Sequence, residues 1–327
     1  MFYSEYICKA LRVSDPTRPL FSFWTHFPND DLNARILADA SLDFCRTYRP
    51  DFLKTMPNGM YGVEDYGCEI DYSGISQGGV ATIEFTPFSE VEDWAGIEEV
   101  HLGRGALRRE LDSLSYILAE IGAVPVIFTV FSPMTIAGKL SKGKIYHQIR
   151  TGTELELIHR ALALIAADVA ALSREAIRLG ATGIFFAHQD TDRSKVDADI
   201  FSDFVVPYDY EALAGARDGR FNILHLHGDS PRFIEMAHYP VHAINWHAWE
   251  TLPTVSAAAT ITDKCLVGGI NRWSITNDDR DEIKRQIDDT LALSGGKNVI
   301  ITPGCTIRHP CNKDVLAFIR DYLLTNP

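Results

Sequence analysis

The chain has 327 residues, 46% of them hydrophobic and 23% charged, an ordinary globular balance with enough apolar material for a large core. Its formal net charge of −13 argues against a nucleic-acid groove or an anionic membrane as the main partner, because both need clustered Lys and Arg. No run approaches the roughly 20 apolar residues that cross a bilayer, and the opening MFYSEYICKALRV, interrupted by Glu5 and Lys9, lacks a signal-peptide layout, so the expectation is a cytoplasmic protein.

In chain order, the first short apolar run is PLFSFW (19–24), followed by a helical stretch capped by Asn29 or Asp30 and running to about Arg49. The second run is DFLKTM (51–56). A long excursion, 57–100, then holds a turn-rich segment and a hairpin strand VATIEF; it is too long for a simple connection and reads as part of the site or as a decorative insertion. An amphipathic helix over 105–122 leads to the third run, VPVIFTVF (124–131). A second amphipathic helix, 153–179, ends at Gly180 before TGIFFAHQ (182–189). FNILHLHG (221–228) is followed by Asp229, Ser230 and Pro231, which cap a helix over 231–238. HAINWHA (242–248) and CLVGGI (265–270) come next, then a helix capped by Asn277 with an acidic start and a Gly295-Gly296 end. The eighth run is NVIITPG (298–304), and Asn312 caps a last helix.

Runs that are apolar on both faces and alternate with helices predict buried parallel strands. Eight such units in about 300 residues predict one (β/α)8 barrel spanning 1–327, a TIM barrel, with the long excursion after its second strand. A doubly wound open sheet is the alternative, but no glycine-rich phosphate turn follows the first strand.

In such a barrel the chemistry sits at the C-terminal strand ends. Five of eleven histidines fall at strands four, five and six. His225 and His227 are two apart, so they face one side of strand five, and Cys305 ends strand eight. Two imidazoles and a thiolate suit zinc and leave a fourth position open; alternatively the three are unrelated, since H-x-H is a weak pattern. The other polar strand ends include Lys54, Glu64, Asp65, His188, Asp190, Asn245 and His247. The six cysteines form no CxxC pair and are otherwise free thiols in a reducing compartment.

The segments PVIFTVFSPMTIAGKL, HLHGD, CLVGGIN and LSGGKNVIITPGCTI, in that order and spacing, resemble blocks of the uroporphyrinogen decarboxylase superfamily over nearly the whole chain. That superfamily has a TIM-barrel fold and includes zinc-dependent methylcobamide:coenzyme M methyltransferases. True decarboxylases carry an arginine-rich segment after the first strand and an Asp at the second. Here those places read WTHFPNDDLNA and FLKTMPN, Lys139 stands where they have a Tyr, and Cys305 where they have a closing His. The methyltransferase branch has an H-x-C…GC zinc set, which His225 and Cys305 match, with His227 in place of the middle Cys.

The resemblance therefore implies a zinc-dependent methyltransferase. His225, His227 and Cys305 would hold the metal, while Glu64, Asp65, His188, Asn245 and His247 would act on substrate or orient the ligands. The corrinoid would be carried by a separate protein, the substrate would be a small molecule, and a homodimer is the implied assembly. The alternatives are a metal-free carboxy-lyase using His188, Asp190 and Lys54, and a non-catalytic tetrapyrrole or corrinoid binder.

Overall fold

The computed structural model describes residues 3–13, 15, 17–75, 80–190, 192–295 and 298–325. Ten strands are present among them: β1 (Leu20–Phe21), β2 (Leu53–Lys54), β3 (Glu69–Asp71), β4 (Thr82–Phe85), β5 (Val126–Phe131), β6 (Gly183–His188), β7 (Ile223–Leu226), β8 (Ala243–Trp246), β9 (Cys265–Ile270) and β10 (Val299–Pro303). Eight form one sheet in the order β1-β10-β9-β8-β7-β6-β5-β2, every pairing parallel. All eight predicted barrel strands are there, each trimmed at its ends or, for β9, matched. The order is that of a (β/α)8 barrel, with helices between successive strands.

The barrel's seam lies between β1 and β2. No ladder joins them, but Asp51 donates its backbone N–H to the carbonyl of Phe21 (2.9 Å) and Ser22 Oγ donates to the carbonyl of Phe52 (2.7 Å). Below, the Asp51 carboxylate takes a two-pronged hydrogen bond from Arg18 (2.6 and 2.9 Å). Every residue of β5, β6 and β9 is buried, as strands covered on one face by helices and on the other by the barrel interior must be. Each large apolar side chain there contributes about 1.5–3 kcal/mol relative to exposure.

Helix boundaries moved where a better cap was available. The helix Ala34–Tyr48 is capped by Asn33, whose side chain accepts from the N–H groups of Arg35 and Ile36, rather than by Asn29 or Asp30. Asp279, not Asn277, caps Arg280–Leu293, and Asn277 instead closes the short helix Arg272–Thr276. The expected 231–238 helix is a single turn, Phe233–Met236. Gly180 ends the long helix Leu155–Leu179 as predicted, at a φ of 124°. Gly296, part of the predicted Gly-Gly stop, lies outside the described residues. Helices not foreseen include Pro133–Leu140, directly after β5, Ile145–Thr151, Val206–Ala214 and Val255–Ile261.

The excursion carries a two-stranded antiparallel hairpin, β3–β4, apart from the barrel sheet. Residues 76–79 lie outside the described residues. Among those residues, no helix is long and apolar enough to cross a membrane.

Candidate metal centre and substrate cavity

A cavity of about 320 Å³ opens among the C-terminal strand ends. Its floor is aromatic: Trp24 and Phe185 meet edge to face (5.5 Å), and Phe185 stacks on the ring of His225 (5.2 Å). Ile75, Val80 and Ala81 of the excursion reach it, so this insertion is part of the cavity wall.

The donor set follows from strand geometry. His225 lies in β7, and His227, two residues on, continues that strand's pairing with its N–H on the carbonyl of His188 (3.0 Å). Both rings therefore face inward. The turn after His227 is pinned by Asp192, whose carboxylate accepts from the N–H groups of Asp229 (2.9 Å) and Ser230 (3.1 Å). Burial works against the charge of Asp192, but Ser194 and those backbone donors outweigh it and hold the carboxyl down to about 2. His247 follows the end of β8, and Cys305 follows β10. Gly304 lets these two ends meet: a Cβ there would stand 2.9 Å from the Cα of His247.

The outcome is a cluster of His225, His227, His247 and Cys305 whose ligand atoms all lie within 4.8 Å of one another. Cys305 Sγ is 3.9 Å from His225 Nε2 and 3.6 Å from His227 Nδ1, and His247 Nε2 is 3.1 Å from His227 Nδ1. Tetrahedral ligands at about 2.0–2.3 Å from a zinc ion are about 3.3–3.7 Å apart; the separations of 3.1–3.9 Å lie within a few tenths of an ångström of that range, and the widest pair, at up to 4.8 Å, would have to close by about 1 Å around an ion. Asn245 orients the first ring. Its Oδ1 accepts from His225 Nδ1 (2.5 Å), while its own amide donates to the carbonyl of Val267 (2.7 Å). That fixes the tautomer of His225 and turns the Nε2 lone pair toward Cys305.

The electrostatics agree. Burial, then mutual repulsion among the rings, holds His225 well below the ordinary imidazole value. Burial, then Arg272, holds His227 to about 4; burial, then His227, holds His247 to about 3. All three are neutral near pH 7, the form that ligates. Burial pushes the Cys305 thiol up, opposed by Arg272; a bound metal ionises such a thiol outright.

The remaining predicted site residues are placed as follows. Asn245 sits directly behind His225, and His247 joins the donors themselves rather than standing behind them. Glu64, Asp65 and His188 do not line the cavity. Glu64 holds Arg109 (2.8 and 3.1 Å), and Asp65 accepts from the N–H groups of Ala106 and Leu107 (2.8 Å each), capping the helix Gly105–Glu120. His188 is fully buried outside the mouth, with Nε2 3.1 Å from Asp209, which also takes a hydrogen bond from Tyr239 (2.9 Å). Of the lyase set, only Lys54 lines the cavity. The cavity also brings in Lys139, Arg272 and Arg308. Lys139 sits on a helix the sequence pattern did not reveal, and no spacing signal marked the two arginines.

A (β/α)8 barrel with a soft nitrogen–sulfur donor set at its C-terminal mouth is the class that fold and site define. The model of the family described as uroporphyrinogen decarboxylase (URO-D) matches residues 11–321, and the chain belongs to that family. Among solved structures it is similar to a methyltransferase from Methanosarcina mazei, at 18% identity and a TM-score of 0.84, covering 98% of each chain. It is less similar to a B12-independent methionine synthase from Shewanella sp. W3-18-1 (12% identity, TM-score 0.56, 89% of each chain). A putative vitamin-B12 independent methionine synthase from Listeria monocytogenes gives 11% identity and a TM-score of 0.56, over 95% of this chain and 98% of that one. No curated protein matches the chain. At these identities the likeness shows the fold.

Proposed function

We propose that this protein is a zinc-dependent methyltransferase, moving a methyl group between a small substrate or thiol and a corrinoid carried by a separate protein. The observation that carries the reading is the convergence of His225, His227, His247 and Cys305 within 4.8 Å at the wall of a cavity. The likeness in fold to a methyltransferase from Methanosarcina mazei supports it. His225, His227 and Cys305 would hold the metal, with His247 within reach as a fourth donor. When bound, zinc supplies a Lewis acid that ionises a thiol or polarises a methoxy oxygen near pH 7. Asn245 keeps His225 in its ligating tautomer. Trp24, Phe185 and Phe131 give the cavity an apolar wall.

The test is methyl transfer from free methylcobalamin to a small thiol, followed through the corrinoid's visible spectrum. The expected result is turnover that a chelator abolishes and zinc restores. Full turnover in chelator contradicts the metal role, and carbon dioxide release from a carboxylated substrate without methyl transfer would establish the lyase reading instead. That second reading rests on Lys54, whose ammonium burial brings down to about 7 at the cavity wall.

A further inference from the structure

A buried cluster of acids joins the excursion to the barrel. Asp31 lies in the turn Asp30–Leu32 after β1, and Arg109 and Glu110 lie on the helix Gly105–Glu120. Asn58, Glu64 and Tyr72 come from the excursion. Asp31 is 1% exposed, Glu110 3% and Asn58 fully buried. The cation placed against them is Arg109, which donates to both oxygens of Glu64 (2.8 and 3.1 Å) and to Glu110 Oε1 (3.1 Å).

Asp31 differs from the other two acids. Among the described residues, neither of its carboxylate oxygens has a hydrogen-bond partner. Asn58 is fixed beside it: Nδ2 donates to the Asp31 carbonyl (3.4 Å), and Oδ1 accepts from the N–H of Met60 (2.9 Å) and from the Tyr72 hydroxyl (3.4 Å). Tyr72 also bonds Glu64 (2.7 Å). On either side of Asn58, Pro57, Gly59 and Met60 line the barrel-mouth cavity. One short segment therefore touches the acids on one side and the cavity on the other.

The charges that reach the cluster come from three elements: Asp30 beside Asp31, Arg109 and Glu110 on the helix, and Glu64 on the excursion, with the hydroxyls of Tyr61 and Tyr72. Burial pushes Asp31 up to about 7 and Glu110 up to about 8, in both cases against the attraction of Arg109. Burial also works against Glu64, but Arg109 and Tyr72 outweigh it and hold that carboxyl below its usual range. With Asp31 and Glu110 protonated, Arg109 balances Glu64. With both ionised, three carboxylates face one guanidinium, and Asp31 is a buried charge with no donor. Water relieves that cost, and it gains access where the excursion lies over the turn, at Asn58.

We propose that Asp31, Glu64 and Glu110 around Arg109 form a proton-operated latch, which holds residues 57–72 against the barrel when protonated and releases this wall of the cavity when ionised. The latch acts whatever reaction the mouth performs, so it stands apart from the methyl-transfer reading. Both carboxyls titrate higher in the closed form than when opened to water. The hold is therefore complete below about pH 4, weakens as pH rises to about 8, and is level above that.

Amide hydrogen exchange of the full chain, read by mass spectrometry at pH 5, 6.5, 8 and 9 and corrected for intrinsic rates, tests this. Residues 57–72 are expected to be less protected than the core strand β6 at every pH, because they open locally. Their protection should fall about ten-fold or more from pH 5 to pH 8 and no further by pH 9. Asp31→Asn and Glu110→Gln keep the neutral form at every pH; each should reduce the fall, and the two together should flatten it. Circular dichroism establishes that each variant is folded, and the wild-type profile needs no variant. A wild-type profile without pH dependence overturns the proposal. So does exchange of 57–72 only together with β6, or a fall that survives the double substitution unchanged.

Discussion

Asn245 has no exposed surface, yet both ends of its amide are engaged, the oxygen by His225 and the nitrogen by Val267. A leucine of similar size would leave the His225 ring free to turn. Asn245→Leu is expected to lower zinc affinity by about 10–100-fold, measured by chelator competition. His188 gives the opposite pattern. Its neighbour Asp209 is equally buried and keeps the hydrogen bond from Tyr239, so loss of the imidazole acts mainly by leaving a cavity. His188→Ala should cost about 2–5 kcal/mol of stability in denaturant unfolding while zinc binding by the folded protein is unchanged. Sequence spacing singled out His225 and His227 because strand alternation is a local rule, and Cys305 because it closes a strand, and the fold brings the three together. Glu64, Asp65 and His188 do not line the cavity, because nearness to a strand end in the chain does not fix which side of the barrel a side chain faces. His247 needed the approach of β10 to β8 to be seen as a donor, and no local pattern encodes that.

The elements explain the approach. Gly304 passes so close to β8 that a methyl group would press on the His247 backbone, where nothing can rotate away. Gly304→Ala is expected to leave the far-ultraviolet circular dichroism unchanged and to abolish stoichiometric zinc binding, because it drives Cys305 from the histidines. Gly105 is bound in a similar way at the start of its helix: φ is 71° and a Cβ would overlap the Asp65 carboxylate that caps the first turn. The capping of that helix from the excursion, not from the residue before it, is why its start was legible only as a change in periodicity. The barrel strands were legible because both of their faces are apolar. β1 and β2, two residues each as paired, were expected to be longer because apolar runs continue beyond the last ladder hydrogen bond.

At the scale of the whole molecule, the excursion and the barrel are joined through Arg109, shared between Glu64 and Glu110 (3.1 Å). One guanidinium cannot neutralise two carboxylates, and burial, opposed by Arg109, raises Glu110 to about 8. The folded form therefore holds a proton that the unfolded chain releases near pH 4.5. The stability this provides is complete below that pH and is lost as pH rises toward 8. Glu110→Gln should match the wild type near pH 5 and exceed it at pH 8, by about 2–4 °C in Tm for each kcal/mol recovered. The central proposal at this scale is that the His–Cys group at the barrel mouth holds a metal. Metal analysis of protein purified without a His-tag, alongside Cys305→Ala, measures it directly. The account predicts about one zinc per chain in the wild type and loss of it in the variant; a zinc-free wild type that also fails to take up zinc on titration contradicts it.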